Sequence, residues 1–135
     1  MPQIRHLAIV SLNPEKLAKF YEEVFDMELL NSGNGAYYMT DGHITLALLP
    51  NKAEGKPSGL NHFGFQIEDA DEIARRLEEH GMARPAERPA DRPYAETRAT
   101  DPDGNNYDLS VHGYQKSETK FDRLAKEPEL ETEPV

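Results

Sequence analysis

The chain has 135 residues, enough for one compact domain or two small modules sharing a core. Its net charge of −10, with no short basic cluster to offset it, argues against a nucleic-acid partner. The absence of cysteine excludes disulfides and thiolate metal sites. Met1 to His6 leads straight into a strand pattern rather than a signal-type apolar region, and no apolar run reaches membrane-spanning length. A cytoplasmic protein with neither nucleic-acid nor membrane partners is the expectation.

In chain order, Ile4 to Leu12 is rich in branched apolar residues and predicts a strand. Asn13 and Pro14 then supply a helix start, Asn as N-cap and Pro in the first turn. Leu17, Phe20, Tyr21, Val24 and Phe25 follow at three- and four-residue spacing, which predicts one inward apolar face. Met27 to Leu30 begins a strand, and Asn31 to Gly35 predicts a turn. Strands over Ala36–Thr40 and Ile44–Leu49 are joined at Asp41-Gly42.

Residues 51–59, polar with Pro and Gly, read as a linker between a first module over 1–50 and a second over 60–113. In the second, Leu60–Ile67 is a strand and Asp69–His80 a helix with Ile73, Ala74 and Leu77 inward, capped by Gly81. His80, in the last helical turn, complements the helix dipole. Strands over Glu96–Thr100 and Asn106–Val111 flank a turn at 101–104. Residues 114–135 dissolve into an acidic, largely disordered-type tail, with a short helix over Thr119–Lys126 docking Phe121 and Leu124. A single helix cannot cover both faces of its module's sheet, so two units must pair, within the chain or across a dimer.

The two modules echo each other. His6 opens the first strand, His62 opens the equivalent strand, and each apolar stretch runs into an Asn or Asp before a helix. A third landmark is Asp101-Pro-Asp-Gly-Asn-Asn-Tyr-Asp108. Two histidines opening equivalent strands, with one carboxylate on a late strand, form the ligand inventory of a divalent-metal site.

These three motifs, over about residues 3 to 113, resemble the vicinal oxygen chelate superfamily of glyoxalases, extradiol dioxygenases, epimerases and bleomycin- or fosfomycin-resistance proteins. The last motif resembles the family's DPDG-x-x-x-E-L. The resemblance implies an α+β fold: paired βαβββ modules forming a cup-shaped, mostly antiparallel sheet with helices outside, in a homodimer. It also implies His6, His62 and Asp108 as ligands of a divalent metal, which donor chemistry leaves open among Fe(II), Mn(II), Zn(II) and Ni(II).

Two departures bear on that site. Asp108 stands where the family usually has Glu, one methylene longer. Four-ligand members add a carboxylate in the first module, and aligning Asp41-Gly42 with Asp103-Gly104 places Leu46 there. Three protein ligands leave open positions, as in ring-cleaving dioxygenases. The expected function is therefore a metal-dependent, dioxygenase-like enzyme acting on a small substrate chelated through vicinal oxygens. One alternative is a glyoxalase- or epimerase-like lyase or isomerase; another, of a different class, is a non-catalytic protein that sequesters a drug or metabolite. In that bland case His6 and His62 are polar strand residues bonded to neighbouring backbone.

Strand alternation puts His112 on the face of Asp108, as a candidate general acid/base, unless the strand ends first and leaves it exposed. His43 falls on the other parity. Arg88, Arg92 and Tyr94, in a stretch with Arg-Pro every four residues, are candidate contacts to an anionic or aromatic substrate; the alternative is a solvated loop. Tyr37, Tyr38, Phe63, Phe65 and Tyr107 line an aromatic pocket or, facing the other way, build core.

Overall fold

A computed structural model describes residues 1–52, 57–89, 95–114 and 119–126 of the chain. In β1 (Gln3–Ser11), His6, Ala8 and Val10 are buried on one face, while Leu7 and Ile9 pack into a core on the other. The Asn13 side chain accepts from the Lys16 N–H at 3.1 Å and starts α1 (Pro14–Phe25). Leu17, Ala18 and Tyr21 pack against Met27, Met39, Leu46 and Leu48.

The inward face of α1 is narrower than the sequence spacing suggests: Phe20, Val24 and Phe25 are 48%, 58% and 62% exposed. The small Ala18 side chain, buried at the contact, lets the helix sit close to the sheet along one stripe. The flanking rings are turned aside, with Phe20 packing edgewise on Tyr21 and Phe25.

β2 (Glu28–Gly33), β3 (Ala36–Thr40) and β4 (Thr45–Pro50) complete the first half. The expected turn over Asn31 to Gly35 contracts to Asn34 and Gly35, at φ 54 and 82. Two left-handed residues suffice for a tight hairpin, so Asn31 to Gly33 stay in the strand.

The second half repeats the order. β5 (Gly59–Gln66) leads into α2 (Ala70–Glu79), where the Asp69 side chain accepts from the Glu72 N–H at 3.1 Å. His80 Nδ1 meets the Arg76 carbonyl at 2.9 Å, and Gly81 follows at φ 74. A short β6 (Ala86–Glu87) falls in the stretch with Arg-Pro every four residues, and its two residues pair with Thr97 and Arg98. β7 (Thr97–Thr100) and β8 (Asn106–Ser110) follow.

Finally, α3 (Lys120–Lys126) places the Phe121 ring against Gly42 and bonds its Lys120 N–H to Glu28 at 2.9 Å. Leu124, expected to dock as well, is 62% exposed. A helix of under two turns offers its partner one anchor. Residues 127–135, expected to be disordered, lie outside the described residues.

The sheet runs β2-β3-β4-β1-β5-β8-β7-β6 and stays open. β1–β4 and β5–β8 are parallel pairs, the other five antiparallel, and β1–β5 joins the halves. Two apolar cores lie behind the sheet, one under each long helix. The front of its central strands forms the floor of a cup. Among the described residues no helix is long and apolar enough to cross a membrane.

Candidate metal centre

His6 and His62 stand on one face of the β1–β5 seam. His6 pairs with Gly64 and His62 with Ala8, so their rings lie diagonally across it with centroids 5.5 Å apart. β8 pairs directly with β5, Gly64 opposite Asp108, which sets Asp108 on the same face. One ligating atom from each of the three lies within 4.8 Å of the others. The short Asp108 side chain reaches because no strand intervenes. His6 is 3% exposed, and the His62 and Asp108 side chains 9% and 4%.

Each of the three has an outer partner. Thr45, beside His6 on β4, brings its hydroxyl 3.0 Å from His6 Nδ1. That hydroxyl donates to the Arg5 carbonyl at 3.4 Å, so it accepts from the ring and leaves Nε2 with its lone pair. Asn61 Oδ1 lies 2.8 Å from His62 Nδ1, and His62 Nε2 faces Asp108 Oδ2 at 3.2 Å. Arg98, the cross-strand partner of Asp108, donates from Nε to Oδ1 at 2.8 Å, and Arg88 donates to the same oxygen at 3.3 Å.

Electrostatics follow from this packing. Burial, helped by the neighbouring His62, pulls His6 down to about 4, so its ring is neutral near pH 7. Burial works upward on Asp108, but hydrogen bonds from His62 and Arg98 outweigh it and hold the carboxyl at about 2. The neutral His6 imidazole and the ionised Asp108 carboxylate are in the states that metal ligation requires, while an ion would replace the contact between His62 Nε2 and Asp108. The donor set fits a divalent ion, with Asp108 offering Oδ2 because Oδ1 is already held by two guanidinium groups.

The three residues open onto a cleft of roughly 860 Å³, whose walls include Asn31, Tyr38, Ala47, Lys52 and Arg88. Arg92 and Tyr94 lie outside the described residues. His112 is not brought to the cluster. β8 ends at Ser110, and Glu96 Oε1 accepts from the Val111 and His112 N–H groups at 2.7 and 3.3 Å, which turns the backbone first. His112 is exposed and lines, with His43 and Arg5, a separate pocket of roughly 130 Å³. Of the five aromatic candidates Tyr38 lines the cleft, while Tyr37, Phe63, Phe65 and Tyr107 pack in the cores.

The first-module counterpart of Asp108 is Ala47, not Leu46. Ala8 and Gly64 are equivalent across the repeat; Gly64 pairs with Asp108 and Ala8 with Ala47. The loop-opening residues that correspond are Asp41 and Asp101, since each carboxylate accepts from the backbone N–H two residues on. The second loop is one residue longer, and matching Asp41 to Asp103, two residues past its counterpart, overshoots that difference and lands on Leu46. Leu46 instead belongs to the core. Ala47 has no ligating atom, so the set of three is unchanged.

Thr45, Asn61, Arg98 and Tyr114 were missed from sequence. Arg98 was within reach: counting back across the β7–β8 turn puts it opposite Asp108. Tyr114 carried no pattern, although it stacks on His6 with centroids 4.7 Å apart.

Several solved structures share this architecture. Homoprotocatechuate 2,3-dioxygenase from Brevibacterium fuscum superposes with a TM-score of 0.67 at 18% identity, covering 91% of this chain and 40% of that one. Methylmalonyl-CoA epimerase from Mycobacterium tuberculosis gives 0.62 at 17% identity, covering 90% of each chain. A hypothetical protein from Bacillus halodurans C-125 gives 0.64 at 16%, covering 87% of this chain and 96% of that one. This chain thus spans less than half of the dioxygenase and nearly all of the other two. At these identities the likeness is one of fold. No curated protein matches the sequence. The family model of the Glyoxalase/Bleomycin resistance protein/Dioxygenase superfamily matches residues 3–109, and with the vicinal oxygen chelate architecture in place the chain belongs to that superfamily.

Proposed function

We propose that the chain is a divalent-metal-dependent enzyme with dioxygenase-like chemistry, acting on a small molecule that carries adjacent oxygens. The observation that carries this reading is the convergence of His6, His62 and Asp108 within 4.8 Å on the floor of the cleft. A divalent ion held there, Fe(II), Mn(II), Zn(II) or Ni(II), supplies Lewis acidity toward paired substrate oxygens and, as Fe(II) or Mn(II), activation of oxygen.

The chain's own groups do the rest. Thr45 and Asn61 fix the two imidazoles, and Arg98 fixes the carboxylate. Lys52 and Arg88 put positive charge on the cleft wall, which favours an anionic oxygen on the substrate. Ala36, Ala47 and Leu49 give one part of the cleft an apolar wall for the substrate's carbon skeleton. Asp108 is the one acid among the described residues lining the cleft, and two arginines occupy it. With no free carboxylate to take a proton from carbon, the glyoxalase- or epimerase-like reading has less support.

A second reading rests on one observation: Arg98, Arg88 and His62 already satisfy Asp108 without a cation. That favours sequestration of a metabolite or drug without chemistry. A homodimer in the cytoplasm remains part of the proposal. The test is oxygen uptake with 3,4-dihydroxyphenylacetate, the compound named with the Brevibacterium enzyme, on protein loaded with Fe(II) or Mn(II). Uptake lost in His62→Ala supports a dioxygenase. Binding of that compound without uptake, unchanged in His62→Ala, supports sequestration.

A further inference from the structure

All three proposed ligands have hydrogen-bonding partners, but His6 also carries an aromatic ring on its face. Tyr114 lies parallel to it, with 4° between the planes and centroids 4.7 Å apart, and is 3% exposed. Reaching that place takes a built turn. Glu96 Oε1 accepts from the Val111 N–H at 2.7 Å, and Oε2 accepts from Ser110 Oγ at 2.6 Å. Ser110 Oγ in turn accepts from the Gly113 N–H at 2.9 Å, and Gly113 sits at φ 86, where side chains are disfavoured.

The turn lays Tyr114 back over the sheet, where its hydroxyl donates to the Phe65 carbonyl at 3.0 Å. Room for the ring is kept at Gly64: a Cβ there would stand 2.5 Å from the Tyr114 hydroxyl and 3.1 Å from His6 Cβ. A carboxylate, a hydroxyl and two glycines converge on one ring, and that ring touches a proposed ligand.

We propose that Tyr114 is a positioning residue whose ring fixes the plane of His6, so that Nε2 points at the ion the cluster holds. Thr45 fixes one point of the imidazole through Nδ1, and a single hydrogen bond leaves the ring plane free to tilt. The stack removes that freedom, and two constraints define where the lone pair points. This inference rests on the metal-centre reading above.

The experiment compares Co(II) binding to the full chain with binding to Tyr114→Leu and Tyr114→Phe, by competition titration and visible absorption. Tyr114→Leu is expected to lose about ten- to hundredfold in affinity, the usual cost of an outer partner, and to shift the Co(II) bands. Tyr114→Phe keeps the ring and should restore both. A folded Tyr114→Leu with wild-type affinity and bands overturns the proposal.

Should Tyr114→Leu not fold, nitrogen-15 NMR of the metal-free wild type decides. The proposal expects one His6 tautomer, protonated on Nδ1, with ring protons shifted by the stacked tyrosine; exchanging tautomers or unshifted protons overturn it. An ordered His6 in a wild type that takes up no Co(II) sinks the metal centre and leaves the stack standing.

Discussion

The two halves of the sheet are built on one plan and do different work. In both, a first strand presents a histidine, a helix covers the back, and the fourth strand runs parallel beside the first. The first half contributes His6 and, where its fourth strand faces the cleft, Ala47. The second contributes His62 and, at the matching register, Asp108 with Arg98 beside it. The last strands also end differently. β4 runs out through Pro50, whereas β8 is stopped at Ser110 by Glu96 and delivers Tyr114 back across the seam. A duplicated scaffold has thus concentrated its charge in one half, and the site is the place where the halves meet.

The largest effect should come from removing the charged member of the pair Asp108/Ala47. Asp108→Ala removes a proposed ligand and leaves Arg98 and Arg88 without the carboxylate they share. We expect loss of metal binding and a stability loss of about 3 kcal/mol, the cost of breaking a buried ion pair, measured by urea unfolding. Asp108→Asn, which keeps the shape, should lose the metal with a smaller drop in stability.

Next comes the reverse experiment. Ala47→Glu restores a carboxylate to the first half and should raise Co(II) affinity while filling a coordination position otherwise open. Competition titration and the Co(II) spectrum read both. Unchanged affinity in folded Ala47→Glu would show that the register equivalence of Ala47 and Asp108 does not extend to the cluster.

A third comparison sets Gly64 against Ala8, its equivalent. Ala8 already carries a Cβ at 0% exposure, while a Cβ on Gly64 would meet the Tyr114 hydroxyl at 2.5 Å. Gly64→Ala should cost about 1–3 kcal/mol, as overpacking does, whereas Ala8→Gly should leave the Tyr114 stack in place. Thermal unfolding and the His6 ring-proton shifts separate the two.

The smallest effect concerns Glu96. Burial raises its pKa, but hydrogen bonds from Ser110 and the Val111 and His112 N–H groups outweigh that and leave it lowered. A lowered folded pKa contributes stability that is complete above the unfolded value, about 4.3, and is lost as pH falls below it. Glu96→Gln should therefore melt below wild type at neutral pH, with the difference closing in acid. A gap that widens as pH falls would contradict the turn's role.

Much of this was legible beforehand because it follows from local chemistry. Asn13-Pro14 and Asp69 announce their helices by capping, and the branched residues around Ile9 and Leu48 announce buried strands. His6, His62 and Asp108 could be picked out because the repeat and the DPDG-type turn mark equivalent places. What escaped depends on distance in sequence. Leu46 in place of Ala47 follows from matching Asp41 to Asp103 where Asp101 is its counterpart, and in a strand an error of one residue is the opposite face. Strand parity alone leaves two places open for His112, and the exposed one holds because Glu96, on another segment, captures the backbone after Ser110. Phe20, Val24 and Phe25 satisfied the helical period without meeting the core, since periodicity says which residues share a face and not how wide the contact is.

The most direct test is a crystal structure of the protein soaked with Zn(II), with data collected at the zinc edge. One anomalous peak per chain is expected in the cleft, about 2.0–2.2 Å from His6 Nε2, His62 Nε2 and Asp108 Oδ2. A map in which Asp108 stays clamped by Arg98 and Arg88, with no peak between the histidines, would contradict the proposed metal centre.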